Sequence, residues 1–170
     1  MQGGEKKITV YTDREKLIQE SPRSVLLRIP FFYNLFSAKP ILVIDNETIS
    51  YNPPRMGPFA FQGSIKWEEI EALHLGELIT RKRGKVKVSR LLCILPHGVE
   101  RFMQSFSLLN KTVLGILMIH VGVPFAVSEA LLTVPVDQLL ARIQTDYSDK
   151  LQEYHIEIRE EYKVSITASK

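Results

Sequence analysis

The stretch from Lys39 to Ile70 constrains the fold more than any other part of the chain. Lys39-Pro40-Ile41-Leu42-Val43-Ile44-Asp45 is a short apolar run opened by a proline, the composition of a strand. Asn46-Glu47 then reads as a tight turn into Thr48-Ile49-Ser50-Tyr51, so the two runs predict a hairpin. Asn52-Pro53-Pro54 and Gly57-Pro58 cannot continue a central strand. The chain is therefore expected to loop out before Phe59 to Gly63 and to re-enter at Ile65. In Ile65-Lys66-Trp67-Glu68-Glu69-Ile70, the spacing of Trp67 and Ile70 suits one helical turn or an irregular strand edge. That arrangement turns both inward and leaves Lys66, Glu68 and Glu69 in water.

These residues resemble a known family. Lys39 to Asp45 and Gly63 to Ile70 are similar to the motifs of a family of uncharacterised bacterial proteins that carry a pleckstrin-homology-like (PH-like) domain behind an N-terminal two-helix membrane hairpin. The likeness continues more weakly through Asn110 to Pro124, where Gly122-Val123-Pro124 resembles the family's glycine and proline before a strand, and through Val136 to Ile143. It covers roughly residues 39 to 145. The resemblance implies a fold and a setting at the cytoplasmic side of the membrane, and it implies no chemistry. Ile8-Thr9-Val10-Tyr11 and Arg14 to Ile18 look like the family's start, and Phe31 to Phe36 like the end of its second membrane helix. Between them, Val25 to Phe36 is interrupted by Arg28, Pro30 and Asn34 and falls short of the ~20 apolar residues a span needs. The membrane hairpin is thus absent or excised here, and the chain as given reads as soluble. The expected organisation is an N-terminal remnant over 1–38, a PH-like domain over 39–155 and a C-terminal strand or tail over 156–170.

The middle of the chain predicts a second hairpin, Ala72 to Thr80 and Lys85 to Leu95, turning at Arg81-Lys82-Arg83-Gly84. Alternation in Lys85-Val86-Lys87-Val88-Ser89 puts valines on one face and cations on the other. Arg81, Lys82, Arg83, Lys85, Lys87 and Arg90 then form one basic cluster. Such a cluster either keeps an edge strand from aggregating or meets an anionic surface such as acidic phospholipid headgroups. Nucleic acid fits poorly, because the net charge is only +3 and no base-reading motif accompanies the turn. Cys93, the single cysteine, lies among Leu91, Leu92, Ile94 and Leu95. It reads as a buried core residue, with a reactive thiol as the alternative, and one cysteine excludes an internal disulfide.

From Val99 the period changes. Val99, Phe102, Met103, Phe106, Val113, Leu114 and Leu117 recur at helical spacing, and Gly122 with Pro124 ends the pattern. A helix, or a pair broken near Asn110, is expected over 99–121. A second helix runs from Pro135 to about Tyr154, with Val136, Leu139, Leu140, Ile143, Tyr147, Leu151 and Tyr154 in one stripe. Beyond it Ile156, Ile158, Tyr162, Val164 and Ile166 share one parity, so a final strand able to pair with a partner's edge is expected. The predicted fold class is α+β: a small antiparallel β-barrel or sandwich, PH-like, closed by the C-terminal amphipathic helix.

Motifs for chemistry are lacking. The sequence has no Gly-rich phosphate loop, no nucleophile elbow, no paired zinc-ligand histidines and no cysteine pair. His74, His97, His120 and His155 are scattered, and no catalytic, cofactor or metal residue is assigned. A triad is recognised by geometry and not by sequence position, so an enzyme built from distant residues stays open. The expected role is a non-enzymatic interaction domain at the membrane face. The alternative is a protein-binding scaffold that uses the Phe102 to Val127 surface or the C-terminal strand.

Overall fold

The computed structural model describes residues 6–13, 15, 40–53, 63–82, 85–104, 115, 118 and 122–167. They form an α+β fold of two four-stranded sheets and a few helices, with no closed barrel among the described residues. The first sheet has the order β1 (Ile8–Val10), β2 (Leu42–Ile44), β3 (Thr48–Tyr51), β4 (Gly63–Lys66), all antiparallel. A 3-10 turn at Trp67–Glu69 carries the chain into β5 (Ile70–Lys82), which pairs with β6 (Lys85–Pro96). The second sheet runs β7 (Phe125–Ser128), β6, β5, β8 (Glu157–Thr167). Strands therefore come from both sides of 39–155. The β5–β8 pair is parallel, unlike the purely antiparallel sheets expected, because the chain crosses between β7 and β8 through two helices.

Alternation in β1 to β4 is the pattern of a sheet with one buried face. Ile8, Val10, Leu42, Ile44, Ile49, Tyr51 and Ile65 are buried, and the residues between them are less so. The hairpin turn follows from Asp45, whose carboxylate accepts hydrogen bonds from the Glu47 and Thr48 N–H groups at 2.9 and 2.8 Å. In the second sheet the rows Leu73–Ile94–Phe125 and Leu75–Leu92–Val127 lie on one face and the row His74–Cys93–Ala126 on the other. Both faces are buried over this stretch, which explains the near-continuous apolar run Leu91 to Leu95. Tyr51 of the first sheet meets Phe125 of the second with ring centroids 6.3 Å apart, and the two sheets share one hydrophobic core. A bulge at Glu71 lets Ile70 and Leu73 stay on the core side.

Three helices are described: α1 (Val99–Gln104), α2 (Val136–Asp146) and α3 (Ser148–Glu153). Part of the expected 99–121 helix lies outside the described residues. Gly122 ends a helical turn there, with φ of 77° and its N–H donating to the Met118 carbonyl at 3.1 Å. The continuous helix expected from Pro135 to Tyr154 is instead broken at Tyr147, whose backbone leaves helical geometry. Its stripe still packs: Val136, Leu139, Leu140, Ile143 and Tyr147 are buried, and Leu151 and Tyr154 lean on the core. Pro135 at the N-cap has no side chain to cap with. Glu129 substitutes by accepting the Val136 N–H at 2.9 Å.

The break places Tyr147 where three segments meet. Its ring stacks on Trp67 with centroids 5.1 Å apart, and its hydroxyl lies 2.9 Å from the Lys6 carbonyl and 2.8 Å from that of Ile44. The single hydroxyl proton serves one carbonyl at a time. Trp67 donates its indole N–H to the Asp45 carbonyl at 2.8 Å. Helix α3 ends with His155 at φ of 55°, where the His155 and Ile156 N–H groups reach back to the Gln152 and Leu151 carbonyls. This is a Schellman turn with histidine in the glycine position.

Two outcomes follow from this geometry. Tyr147→Phe leaves the buried Ile44 carbonyl and the part-buried Lys6 carbonyl without the hydroxyl donor, and urea denaturation should show a loss of about 1–3 kcal/mol with unchanged far-UV circular dichroism. His155→Gly should stabilise the protein by about 0.5–1 kcal/mol, because glycine adopts the left-handed region without Cβ strain.

Candidate functional site

The β5–β6 hairpin carries the basic cluster expected from the sequence, six of the chain's 22 lysines and arginines. Leu78, opposite Ser89, is the last buried side chain along it among the described residues. Beyond it the ladder continues through Ile79–Val88, Thr80–Lys87, Arg81–Val86 and Lys82–Lys85. At ~3.3 Å per residue, these four rows extend the ladder roughly 13 Å beyond Leu78. Strand β8 accompanies it, with Ser165, Ile166 and Thr167 beside Ile79, Thr80 and Arg81. No aspartate or glutamate occupies any position of this three-stranded projection.

Arg81 and Lys82 are the last residues of β5, and Lys85 and Lys87 alternate with valines at the start of β6. Arg83 lies outside the described residues. Arg90 stands apart from them at the base of the projection. Its guanidinium is 3.7 Å from Asp137 and 4.0 Å from Glu129, so β6 is tied to the start of α2. Two carboxylates already offset that charge.

Alternation predicted a shared face for Val86 and Val88, and cross-strand pairing keeps them on one side, yet they are 60% and 52% exposed. The periodicity matched a half-buried strand, but the strand outruns the core that would cover it. The available signal was length: a hairpin with arms of 13 and 12 residues exceeds its four-residue neighbours β3, β4 and β7.

A second candidate is an open cleft of about 330 Å³ lined by Asn46, Glu47, Thr48, Lys66, Trp67, Glu68, Lys150 and Tyr154. Its charges cancel. Lys66 lies 3.4 Å from Glu68, and Lys150 lies 2.9 Å from Glu153 and over the Tyr154 ring at 5.5 Å. With Glu47 and Glu68 against Lys66 and Lys150, the lining carries no net charge to favour one ion over another.

A third is the buried pair His74 and Cys93, opposite one another in the β5–β6 ladder. His74 is 8% exposed, and its Nδ1 has no hydrogen-bond partner among the described residues. Burial, then the charge of Arg159, holds the imidazole pKa below its ordinary value. Burial pushes the Cys93 thiol up to about 12, so the thiolate is suppressed at neutral pH. Arg159 itself is held by Glu71 at 2.7 Å and Glu157 at 3.0 Å. Among the described residues no group of three or more His, Cys, Asp and Glu is placed to hold a metal ion. His97 and His155 lie elsewhere, and His120 is outside the described residues.

The final strand is present, but its apolar residues do not share a face. One extra β8 residue falls between the pairs His74–Arg159 and Gly76–Tyr162. Ile158 therefore pairs with Leu73 on the core face, whereas Tyr162 and Val164 pair with Gly76 and Leu78 on the other. A bulged, charged edge is a device against strand addition.

Among the described residues no helix is long and apolar enough to cross a membrane. Comparison with protein-family models, curated proteins and solved structures finds no match for this chain.

Because folding favours neutral His74, the unfolded chain binds more protons below the ordinary histidine pKa. Stability should thus fall as pH drops through about 6.5 and below. Thermal melts of the parent and of His74→Gln from pH 8 to pH 5 check this, with a smaller acid-side loss expected in the variant.

Proposed function

We propose that this chain is a non-enzymatic interaction domain of the PH-like kind, which docks on an anionic phospholipid surface through the distal β5–β6 hairpin. One observation carries the reading: the section beyond Leu78 holds Arg81, Lys82, Lys85 and Lys87 without an acidic residue in any of its three strands. Segregated positive charge on a projection is accessible to a flat surface, and each cation near an acidic membrane contributes about 1 kcal/mol. Its register sharpens the point. The register pairs the Lys82 and Lys85 positions directly opposite each other, and like charges placed opposite in a ladder are in general destabilising. Protection of the edge strand alone needs no such opposition. The PH-like assignment draws on the sequence motifs at 39–45 and 63–70, together with two sheets sharing a core on which the amphipathic helix packs.

Co-sedimentation with vesicles tests the reading. The chain should bind vesicles containing acidic phospholipid and not neutral ones, and binding should weaken as salt shortens the range of the interaction. Replacing Lys82, Arg83 and Lys85 together by glutamate should reduce binding by about 100-fold or more. Equal sedimentation of parent and triple variant would remove the hairpin from the site and favour a protein-binding scaffold.

A further inference from the structure

We infer that Val86 and Val88 form an aliphatic wedge that enters the bilayer interface when the hairpin docks, so that its occupant is a lipid bilayer and not a soluble polyanion. The inference rests on the docking reading above and adds residues that the basic cluster does not contain.

The valines are among the few large apolar side chains exposed among the described residues, with Tyr11 and Ile158. They sit two residues apart on β6, on one side of the ladder, opposite Arg81 and Ile79. Ile79 is half-buried, so the apolar surface continues from the pair toward the core. Lysines flank and alternate with them at 85 and 87, and Lys82 is across the strand. Apolar positions on one side of a strand, with Arg81 beside them in the ladder and lysine positions on the other side, match the boundary between acyl chains and acidic headgroups, where amphipathic segments bury ~5–10 Å deep. The projection of roughly 13 Å is long enough to reach that depth before the body of the domain meets the headgroups.

A soluble polyanion or an acidic peptide would use the lysines and leave both valines in water. A strand fully built into a core would have covered them. Neither explains paired β-branched residues at 60% and 52% exposure on the part of the hairpin that carries the charge. A bilayer satisfies both features at once.

The test separates electrostatic docking from insertion. In the full chain, Val88→Cys provides an attachment point for an environment-sensitive fluorophore, since the native Cys93 is fully buried with its thiol pKa raised to about 12. With vesicles of phosphatidylcholine and phosphatidylserine, the probe should brighten and shift to the blue. It should also be quenched by nitroxides on the acyl chains. Separately, Val86→Ser with Val88→Ser should lower vesicle affinity about 10- to 100-fold, and the loss should persist at high salt. Because both positions are exposed, the melting temperature of that variant should match the parent, which excludes misfolding as the cause.

If the parent binds acidic vesicles but the probe stays in water and the serine variant binds equally well, insertion is overturned and surface docking stands. If the parent binds no acidic vesicle even at low salt, docking itself is wrong and the wedge falls with it. Equal affinity of the parent for soluble inositol phosphates and for vesicles, with no probe shift, would assign the site to a soluble anion and overturn the wedge.

Discussion

The contact between Trp67 and Tyr147 holds the two sheets and the helical layer in one arrangement. Trp67 sits at the bend where the first sheet passes into the second, and its indole N–H is bound to the carbonyl of Asp45, the residue that shapes the β2–β3 turn. Tyr147 stacks on that indole from the break between α2 and α3 and brings its hydroxyl to carbonyls beside β1 and at the end of β2. An aromatic pair of this kind contributes about 0.5–1.5 kcal/mol beyond its burial. It also fixes the geometry, since neither ring can move without breaking a hydrogen bond to a backbone carbonyl. Tyr51 gives a second tie: its buried hydroxyl, with pKa pushed up to about 12 chiefly by desolvation, faces the Ser128 N–H of β7.

The projecting hairpin depends on that rigidity. Strands β5 and β6 are buried on one face as far as Leu78 and Leu91 and on the other as far as Leu92, and Arg90 fastens β6 to Glu129 and Asp137 just beyond. An isolated two-stranded hairpin is marginal in water. Here the distal section inherits its register from the buried ladder and gains a third strand from β8. The exposed valines and opposed lysines are a local cost that such a base can hold. Departures of this sort from local folding preference are expected where a surface is used.

How much of this was legible in the sequence depended on range. The strands at 42–51, the re-entry at Ile65, the inward Trp67 and the buried Cys93 all follow from local pattern, and the structure places them as the pattern requires. The helix break at Tyr147 was hidden because its apolar stripe continues at helical spacing across the break. The carbonyls of Lys6 and Ile44 that engage Tyr147 are 141 and 103 residues away in sequence. The parallel pairing of β8 and its bulge were hidden for the same reason: they depend on where the crossover delivers the chain. For the candidate site, the cations were named from sequence. The exposure of the valines was not legible, because alternation reports the side of a strand and not whether anything stands there.

Under the proposed function, the two-sheet body presents the β5–β6 tip to an acidic bilayer. Amide hydrogen exchange with and without phosphatidylserine vesicles tests it most directly. The account predicts new protection confined to the amides around Arg81 to Val88, while those around Trp67 and Tyr147 exchange at the same slow rate in both conditions. Protection appearing elsewhere, with the hairpin tip exchanging as freely as before, would contradict it.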